Sequence, residues 1–375
     1  MEKPAISSGQ VIQRDPILRF LCVRWKWSDT KIIVFNSSLS GFLFVVIGGI
    51  ASWSYSGPGK RITSLDNLLF FVMWLAVFAP LMWGSYLWQA RTAPALIASL
   101  VQNGVFGQPM SEHRQRVTER AVRLLKLMNH PAIYLIALLV LVAFWVNEFL
   151  IAWPEQFRIS PEYWFEVRWY LPIHILTWSI SLYVLFLFVI RHVVYIIGIS
   201  RLFGKVDVKV KPLDPDECGG LGAVGDLTKS SILIAMGLGF IAVLFALVIY
   251  WTGSDVLRRT DVLALFAIYA LLVPLCLVVP ILSAKRAMLR ARQRALAPIA
   301  EEFQQVLSSA KISKGPSELE DLNAKLKQIQ QYREIVLQAY PTSPLPLGAL
   351  RKFSITATIP LISGVASVAL QLLTP

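Results

Sequence analysis

The sequence predicts an all-α fold, a polytopic membrane bundle of six spans with helical extensions on its cytoplasmic side. Composition is the first reason, since 55% of the 375 residues are hydrophobic and only 16% are charged, a balance unusual for a soluble domain. The second is a set of six long, nearly uncharged runs. The third is that Lys and Arg concentrate in alternate gaps between those runs, as expected of a multi-pass protein.

Each apolar run is long enough to cross a hydrocarbon core of about 30 Å at about 1.5 Å per helical residue. The runs cover residues 32–55, 67–88, 131–153, 169–190, 230–251 and 262–283. We expect them to form one transmembrane bundle over 32–284, preceded by a cytoplasmic segment, 1–31.

Charge alternation predicts the orientation of the bundle. Of the 36 Lys and Arg, 29 lie before the first run, in two alternate gaps (89–130 and 201–229) or after residue 284. Because positive loops stay in the cytoplasm, the N-terminus is predicted to be cytoplasmic. The net charge of +13 then reflects topology and attraction to anionic lipid in the bilayer, and nucleic acid is not implied as a partner.

Three cytoplasmic segments are long enough to carry structure. In the gap 89–130, residues 93–102 and 111–129 have helical patterns. The second places five apolar side chains on one face, which we expect to pack on another helix rather than on lipid: Val117, Ala121, Leu124, Leu125 and Met128.

Residues 285–340 predict a helical hairpin, because two apolar stripes at spacings of three and four flank Gly315-Pro316. The hairpin either packs within one chain or assembles subunits into a homo-oligomer. Residues 341–375 comprise a Pro-rich linker and a last apolar run, which either spans the membrane or lies re-entrant or at its surface.

The loop at 201–229 holds the densest polar motif, with three carboxylates on Asp214, Asp216 and Glu217 ahead of Gly219 and Gly220. One interpretation is a turn that starts the fifth span, capped at Asp226 or Thr228. A second is a weak candidate site for a hard cation such as Ca²⁺ or Mg²⁺, and a third is a gating or coupling contact.

The same loop carries a resemblance. Pro-Leu-Asp-Pro-Asp-Glu-Cys-Gly-Gly-Leu-Gly at 212–222, with Tyr-Pro-Thr-Ser-Pro-Leu at 340–345, resembles a pattern in uncharacterised bacterial multi-span membrane proteins. There Pro-Asp followed by Gly-Gly-Leu stands in a corresponding position. The resemblance implies a bacterial plasma (inner) membrane protein and implies no activity.

Inside the membrane few polar groups are expected, because an ionisable side chain in hydrocarbon is costly. Glu148 and His174 reach similar depths near the outer leaflet of adjacent spans, so they form either a polar pair or two separate interfacial groups. Arg191 and His192 end the fourth span, where Arg is interpreted as an interfacial anchor. Pro274 and Pro280 predict a bend in the sixth span.

Catalytic and cofactor signatures are absent from the sequence. It contains no zinc-protease, nucleophile-elbow, Walker or dinucleotide motif, so no enzyme activity and no cofactor is predicted. Two hypotheses follow: a channel or transporter-like protein gated by its cytoplasmic helices, or a membrane-anchored scaffold or signalling protein whose cytoplasmic helices bind a partner.

We predict a six-span topology that single-cysteine labelling in intact cells can test, with the three native cysteines replaced. Because the basic gaps face the cytoplasm, an impermeant maleimide should label Gly59→Cys, Ser160→Cys and Ser254→Cys. The same reagent should reach the inner sites only after permeabilisation: Gly107→Cys, Lys209→Cys and Lys314→Cys. Labelling of any inner site in intact cells contradicts the six-span core.

Overall fold

The computed structural model describes residues 8–54, 72, 74–106, 112–147, 171–251, 260–310 and 316–345. Over these residues the protein is helical and contains no strand, which confirms the all-α prediction. The α-helices are α1 (Ser8–Arg14), α2 (Pro16–Leu18), α3 (Asp29–Gly41), α4 (Gly48–Ser54), α5 (Ala79–Gln102), α6 (Glu112–Met128), α7 (Pro131–Asn147), α8 (Leu171–Lys205), α9 (Gly222–Trp251), α10 (Thr260–Ala310) and α11 (Pro316–Ala339). Three π-helical segments, Arg19–Arg24, Phe42–Ile47 and Trp74–Phe78, extend α2, link α3 to α4 and precede α5.

Five helical stretches of the described chain are long and apolar enough to cross a membrane, which is compatible with a multi-pass membrane protein. They are Asp29–Ala51, Gln115–Asn147, Pro172–Lys205, Gly222–Leu244 and Phe266–Ser309. These correspond to predicted runs one, three, four, five and six. The second run, 67–88, is not among them, and part of it lies outside the described residues, so six spans and the orientation of the bundle stay predictions.

Helix α5 lies in the middle of the fold and contacts α1, α3, α6, α8 and α9. Its burial extends along its whole length, from Met82 and Tyr86 to Ile97 and Leu100. The sequence suggested that a span ended at Trp88 and a separate helix began at 93. The structure corrects this, because one helix continues through Pro94 and protein packing surrounds it on several sides.

Helix α6 confirms the predicted packing face. All five residues of its apolar stripe are at most 9% exposed, and the helix contacts α1, α5 and α8. The approach to α8 is close at Gly198, where an added Cβ would lie 2.1 Å from a Leu124 methyl carbon. After a short turn, Pro131 begins α7, as the sequence predicted.

Helices α9 and α10 form the most extensive helix pair of the described chain, and α10 also packs against α8. Gly239 of α9 faces the ring of Tyr269 on α10, where an added Cβ would come within 2.6 Å. Helix α10 has 51 residues, about 76 Å at about 1.5 Å per residue. It contains Pro274 and Pro280 without ending at either, and the predicted bend stays a prediction.

The predicted helical hairpin is present as the C-terminal part of α10 and α11. Ile299 and Val306 of the first helix are buried against Ile329 and Val336 of the second, so the two apolar stripes meet within one chain. Leu319, which lies three residues before Leu322 and was predicted to belong to the second stripe, is 43% exposed. A described part of the following linker, 341–345, returns to the bundle, where the Pro344 carbonyl lies against Gly225 of α9.

We predict that Gly225→Ala lowers the midpoint of thermal unfolding in detergent. The new Cβ would lie 2.5 Å from the Pro344 carbonyl oxygen, so backbone would have to move. Gly204→Ala in α8 is the matched control, because a Cβ there meets nothing within 4 Å. In a helix interior alanine is more favourable than glycine by up to about 1 kcal/mol. The control variant should therefore leave the unfolding midpoint unchanged or raise it. Equal midpoints for the two variants would contradict the close contact.

Candidate functional site

A buried carboxylate begins the site. Asp15 lies between α1 and α2 and is fully buried. Its Oδ1 accepts hydrogen bonds from the backbone N–H groups of Ile17 and Leu18, each at 3.0 Å. This is the geometry of a helix N-cap, and Pro16 at the first helical position favours it. The sequence Asp-Pro thus fixes where the carboxylate points.

The second carboxylate oxygen faces the bundle. Asp15 Oδ2 accepts from the Tyr86 hydroxyl of α5 at 2.6 Å and from Nη1 of Arg191 on α8, also at 2.6 Å. The ion pair is inaccessible to solvent, since both side chains are 0% exposed. Four donors therefore satisfy one carboxylate, two of them from its own helix start and one each from α5 and α8.

The guanidinium is held on three sides. Nη2 of Arg191 donates to Asn129 Oδ1 in the turn between α6 and α7. Asn129 in turn donates to the Val11 carbonyl of α1 at 3.4 Å. The ring of Tyr86 lies 5.2 Å from the guanidinium carbon, in range for a cation–π contact. The network thus joins the N-terminal segment to α5, the α6–α7 turn and α8.

The structure corrects the sequence interpretation of Arg191, which is a buried partner of Asp15 and not an interfacial anchor. The described part of the N-terminal segment packs against the bundle, because Val11 and Leu18 are buried in its core; its cytoplasmic location stays a prediction. The sequence contains two signals that point toward the pair. Arg191 is the one Lys or Arg that lies neither in the four basic segments nor in the gaps 56–66, 154–168 and 252–261. Asp15 precedes Pro16 in the stretch 14–26, whose other charged residues are all basic.

Next to the ion pair lies a second polar contact between α5 and α8. Gln89 Nε2 is 3.3 Å from His192 Nδ1 and 3.3 Å from the Phe188 carbonyl, and both side chains are at most 2% exposed. Two of their atoms, Gln89 Oε1 and His192 Nε2, have no hydrogen-bond partner among the described residues. Buried polar atoms without hydrogen-bond partners are rare in folded proteins, so the contact between Gln89 and His192 is unusual.

Toward the N-terminal end of α8 the buried side chains change from polar to apolar and then to polar again. Residues 182–188 place apolar side chains inside the bundle, including Leu185 and Leu187, both at 0% exposure. Beyond them Thr177 and Ser181 are buried polar residues, and His174 lies 5.5 Å from the ring of Phe44. Glu148 lies outside the described residues, so the Glu148–His174 pair stays a prediction.

The acidic loop is organised around one of its carboxylates. Asp216 Oδ1 accepts from the N–H groups of Cys218 and Gly220 at 2.8 and 3.0 Å. Its Oδ2 accepts from Gly222, the first residue of α9, at 2.9 Å. This favours the turn interpretation, but with Asp216 in the capping role. Asp226 and Thr228 lie inside α9, which corrects their assignment as caps.

The remaining loop residues support this turn. Asp214 Oδ1 accepts from the Asp216 N–H at 3.2 Å, and Glu217 has a left-handed φ of 53°. Gly219 and Gly220 have φ values of 65° and 88°, a region that favours glycine. No group of three or more His, Cys, Asp or Glu suited to a metal occurs in the described part of the chain. A gating role for the loop stays a prediction.

Burial tends to raise the pKa of the Asp216 carboxyl, but the hydrogen bonds from Gly220, Gly222 and Cys218 stabilise its charged form and leave the pKa below its ordinary value. Burial, together with the nearby Asp216, raises the pKa of the Cys218 thiol. The loop therefore contains a stabilised carboxylate beside a thiol that stays protonated, which is unsuited to a nucleophilic cysteine.

Comparison of the chain with models of known protein families, with curated protein sequences and with solved structures finds no match.

We predict that Asp216→Asn lowers the midpoint of thermal unfolding at pH 7 more than Glu217→Gln does. Asparagine retains one acceptor oxygen, whereas the carboxylate accepts three backbone N–H groups. Glu217 is the matched control, because it is exposed in the same turn.

The difference should also depend on pH. Because the folded pKa of Asp216 is lowered, its stabilisation is complete above the ordinary value of 3.8. It is lost as pH falls from there through the lowered folded-state value. Unfolding midpoints of the wild type and Asp216→Asn should therefore converge in strongly acidic buffer, and a constant gap would contradict the assignment.

Proposed function

We propose that this chain is a bacterial inner-membrane channel or transporter-like protein that moves an ion or small solute. In this proposal the inner end of its pathway is closed by the Asp15–Arg191 ion pair. That buried pair is the observation that carries the proposal. Charged side chains within membrane bundles are costly, usually pair with one another and mark ion or substrate pathways.

The location of the pair suits an inner gate. Arg191 lies 20 residues after Leu171, the first residue of α8, about 30 Å along a helix at about 1.5 Å per residue. Its partner comes from the short helices α1 and α2 rather than from another long helix. In this proposal the gate opens when the N-terminal segment moves away from α8, which withdraws Val11 and Leu18 from the core and exposes both charges to water.

The interior of α8 is consistent with a closed state. Arg191 and His192 lie on one side of an apolar stretch, and Ser181 and Thr177 lie on the other. Ten residues separate Ser181 from Arg191, about 15 Å of helix. Packed apolar side chains between two polar sections block water and ions, so a conducting state requires that this section open.

A physical link connects the cytoplasmic hairpin to this helix. Arg290 of α10 donates to the carbonyls of Phe203 and Gly204 at 2.6 and 3.2 Å, at the C-terminal end of α8. Arg294 donates to the Val208 carbonyl at 3.3 Å and pairs with Asp207 at 3.1 Å. Because the hairpin is the continuation of α10, a partner or second subunit bound there can shift the helix that carries Arg191.

A second function, a membrane-anchored scaffold or signalling protein, is favoured by the hairpin itself. The groove between α10 and α11 contains a cavity of about 310 Å³ lined by residues that include Leu296, Phe303 and Ile329. On α11, Tyr332 and Ile335 are 57% and 60% exposed. Exposed apolar surface on a helical hairpin suits a cytoplasmic protein partner or a second copy of this chain.

We predict that Asp15→Asn increases basal ion flux through the purified protein reconstituted in liposomes. The substitution keeps the side-chain shape but removes the charge that pairs with Arg191, leaving an uncompensated buried charge that costs about 3–5 kcal/mol. Proton and potassium fluxes are measured with entrapped fluorescent indicators, and single-channel currents are recorded in planar bilayers. Asp29→Asn is the matched control, because its partner Arg91 is half exposed, and it should leave the flux unchanged.

The double variant Asp15→Asn with Arg191→Gln tests whether the pair itself matters, because it removes both charges and keeps an acceptor oxygen at the helix N-cap. If the pair forms the gate, the flux of the double variant should be similar to that of each single variant rather than the sum of their effects. Circular dichroism and gel filtration check that each variant is folded. Folded wild type and Asp15→Asn proteins that both lack flux for every ion tested would contradict transport and favour the scaffold function.

A further inference from the structure

The N-terminal segment that buries Asp15 presents a basic outer surface just before the first span. We call its five exposed cations, Arg14, Arg19, Arg24, Lys26 and Lys31, the N-terminal basic surface. They occur within 18 residues, alongside helix α2, its π-helical extension and the start of α3. None of the five forms an ion pair with a described residue.

The acidic residues in the described part of this segment, 8–31, do not neutralise the surface. Asp15 is buried against Arg191. Asp29 accepts from two guanidinium nitrogens of Arg91, each at 2.5 Å. Both carboxylates are thus engaged with arginines of α8 and α5, and the five outward cations retain their charge for an external partner.

Aromatic side chains lie between these cations. The rings of Phe20, Trp25, Trp27 and Phe35 follow one another at centroid distances of 4.4, 4.9 and 4.7 Å. Phe20, Trp25 and Phe35 are 40–45% exposed, and the guanidinium of Arg24 lies 5.7 Å above the Phe20 ring. The exposed rings and the exposed cations thus occur in one short stretch of chain, and Arg24 contacts a ring directly.

Each component of the surface matches a layer of a membrane interface. Tryptophan and phenylalanine rings insert at the boundary between headgroups and acyl chains, and Lys and Arg attract anionic headgroups. The surface also adjoins the start of Asp29–Ala51, a helix apolar enough to span the bilayer. A soluble acidic protein would fit the cations but would leave the aromatic rings without an apolar partner.

We propose that the N-terminal basic surface is a binding site for anionic phospholipid, with the headgroup phosphates on the cations and the acyl region on the aromatic rings. Bound lipid then fixes the segment that carries Asp15 beneath the bundle. The proposal is independent of whether the chain conducts ions, because it concerns a lipid site and its effect on stability.

The test is thermal unfolding of the full-length protein in neutral detergent micelles, titrated with phosphatidylglycerol or with phosphatidylcholine. Phosphatidylglycerol should raise the unfolding midpoint more than phosphatidylcholine does, and the difference should shrink in 0.5 M salt because exposed charges are screened within about 3–10 Å. The triple variant Arg19→Gln, Arg24→Gln and Lys26→Gln should lose more than half of this difference.

A matched control removes three exposed cations from the hairpin helix α11, as Lys325→Gln, Lys327→Gln and Arg333→Gln. This control should keep the full difference between the two lipids. An equal loss in both triple variants would overturn the site in favour of a general effect of net charge. If the N-terminal triple variant does not fold, Arg24→Gln and Lys26→Gln are measured singly and should each lose part of the difference.

Titration with soluble glycerol phosphate distinguishes a phospholipid ligand from a free phosphate ligand. Glycerol phosphate should leave the unfolding midpoint unchanged, because it lacks the acyl chains that contact Trp25 and Phe20. Stabilisation by glycerol phosphate equal to that by phosphatidylglycerol would overturn the lipid assignment in favour of a free phosphate ligand. Equal stabilisation by phosphatidylglycerol and phosphatidylcholine would overturn selectivity for anionic lipid.

Discussion

The Asp15–Arg191 ion pair constrains the arrangement of the whole bundle. A charged pair withdrawn from water is tolerated only when its geometry is good and its remaining hydrogen-bonding groups find partners. Here Tyr86 comes from α5, Asn129 from the α6–α7 turn and two N–H groups from α2, whereas Arg191 Nε has no hydrogen-bond partner among the described residues. Four separate parts of the chain must therefore meet at one point. If any of them is packed incorrectly, a buried charge loses a hydrogen-bond or ion-pair partner.

Helix α8 transmits this constraint because it contacts α5, α6, α7 and α10. Its interior carries Arg191, whereas the carbonyls at its C-terminal end accept hydrogen bonds from Arg290 of α10. Free carbonyls at a helix end carry partial negative charge, so a guanidinium there is favourable. These hydrogen bonds thus connect α10 to the helix whose buried arginine holds the N-terminal segment.

Local pattern predicted much of this fold. The stripe on α6 and the hairpin of α10 and α11 follow from spacings of three and four residues, which depend on helical geometry alone. The turn before α7 follows from Pro131, which favours the first position of a helix. The continuity of α5 through Pro94 did not follow, because the apolar run ended at residue 88 and the next helical pattern was assigned to 93–102. The Asp15–Arg191 contact joins residues 176 apart in sequence, and spacing rules carry no information over such a distance.

The acidic loop and the ion pair show why a conspicuous motif need not be the chemical centre. Asp216 accepts three N–H groups of its own turn, so its lone pairs are occupied in forming the start of α9 and are poorly placed to bind a cation. Asp15 also accepts N–H groups from its own helix start, but its second oxygen points into the bundle and meets an arginine. A carboxylate satisfied locally fixes a turn, whereas one that depends on a distant cation couples two parts of the molecule. Only the second arrangement can change when those parts separate, and for that reason the functional hypothesis rests on Asp15 and Arg191.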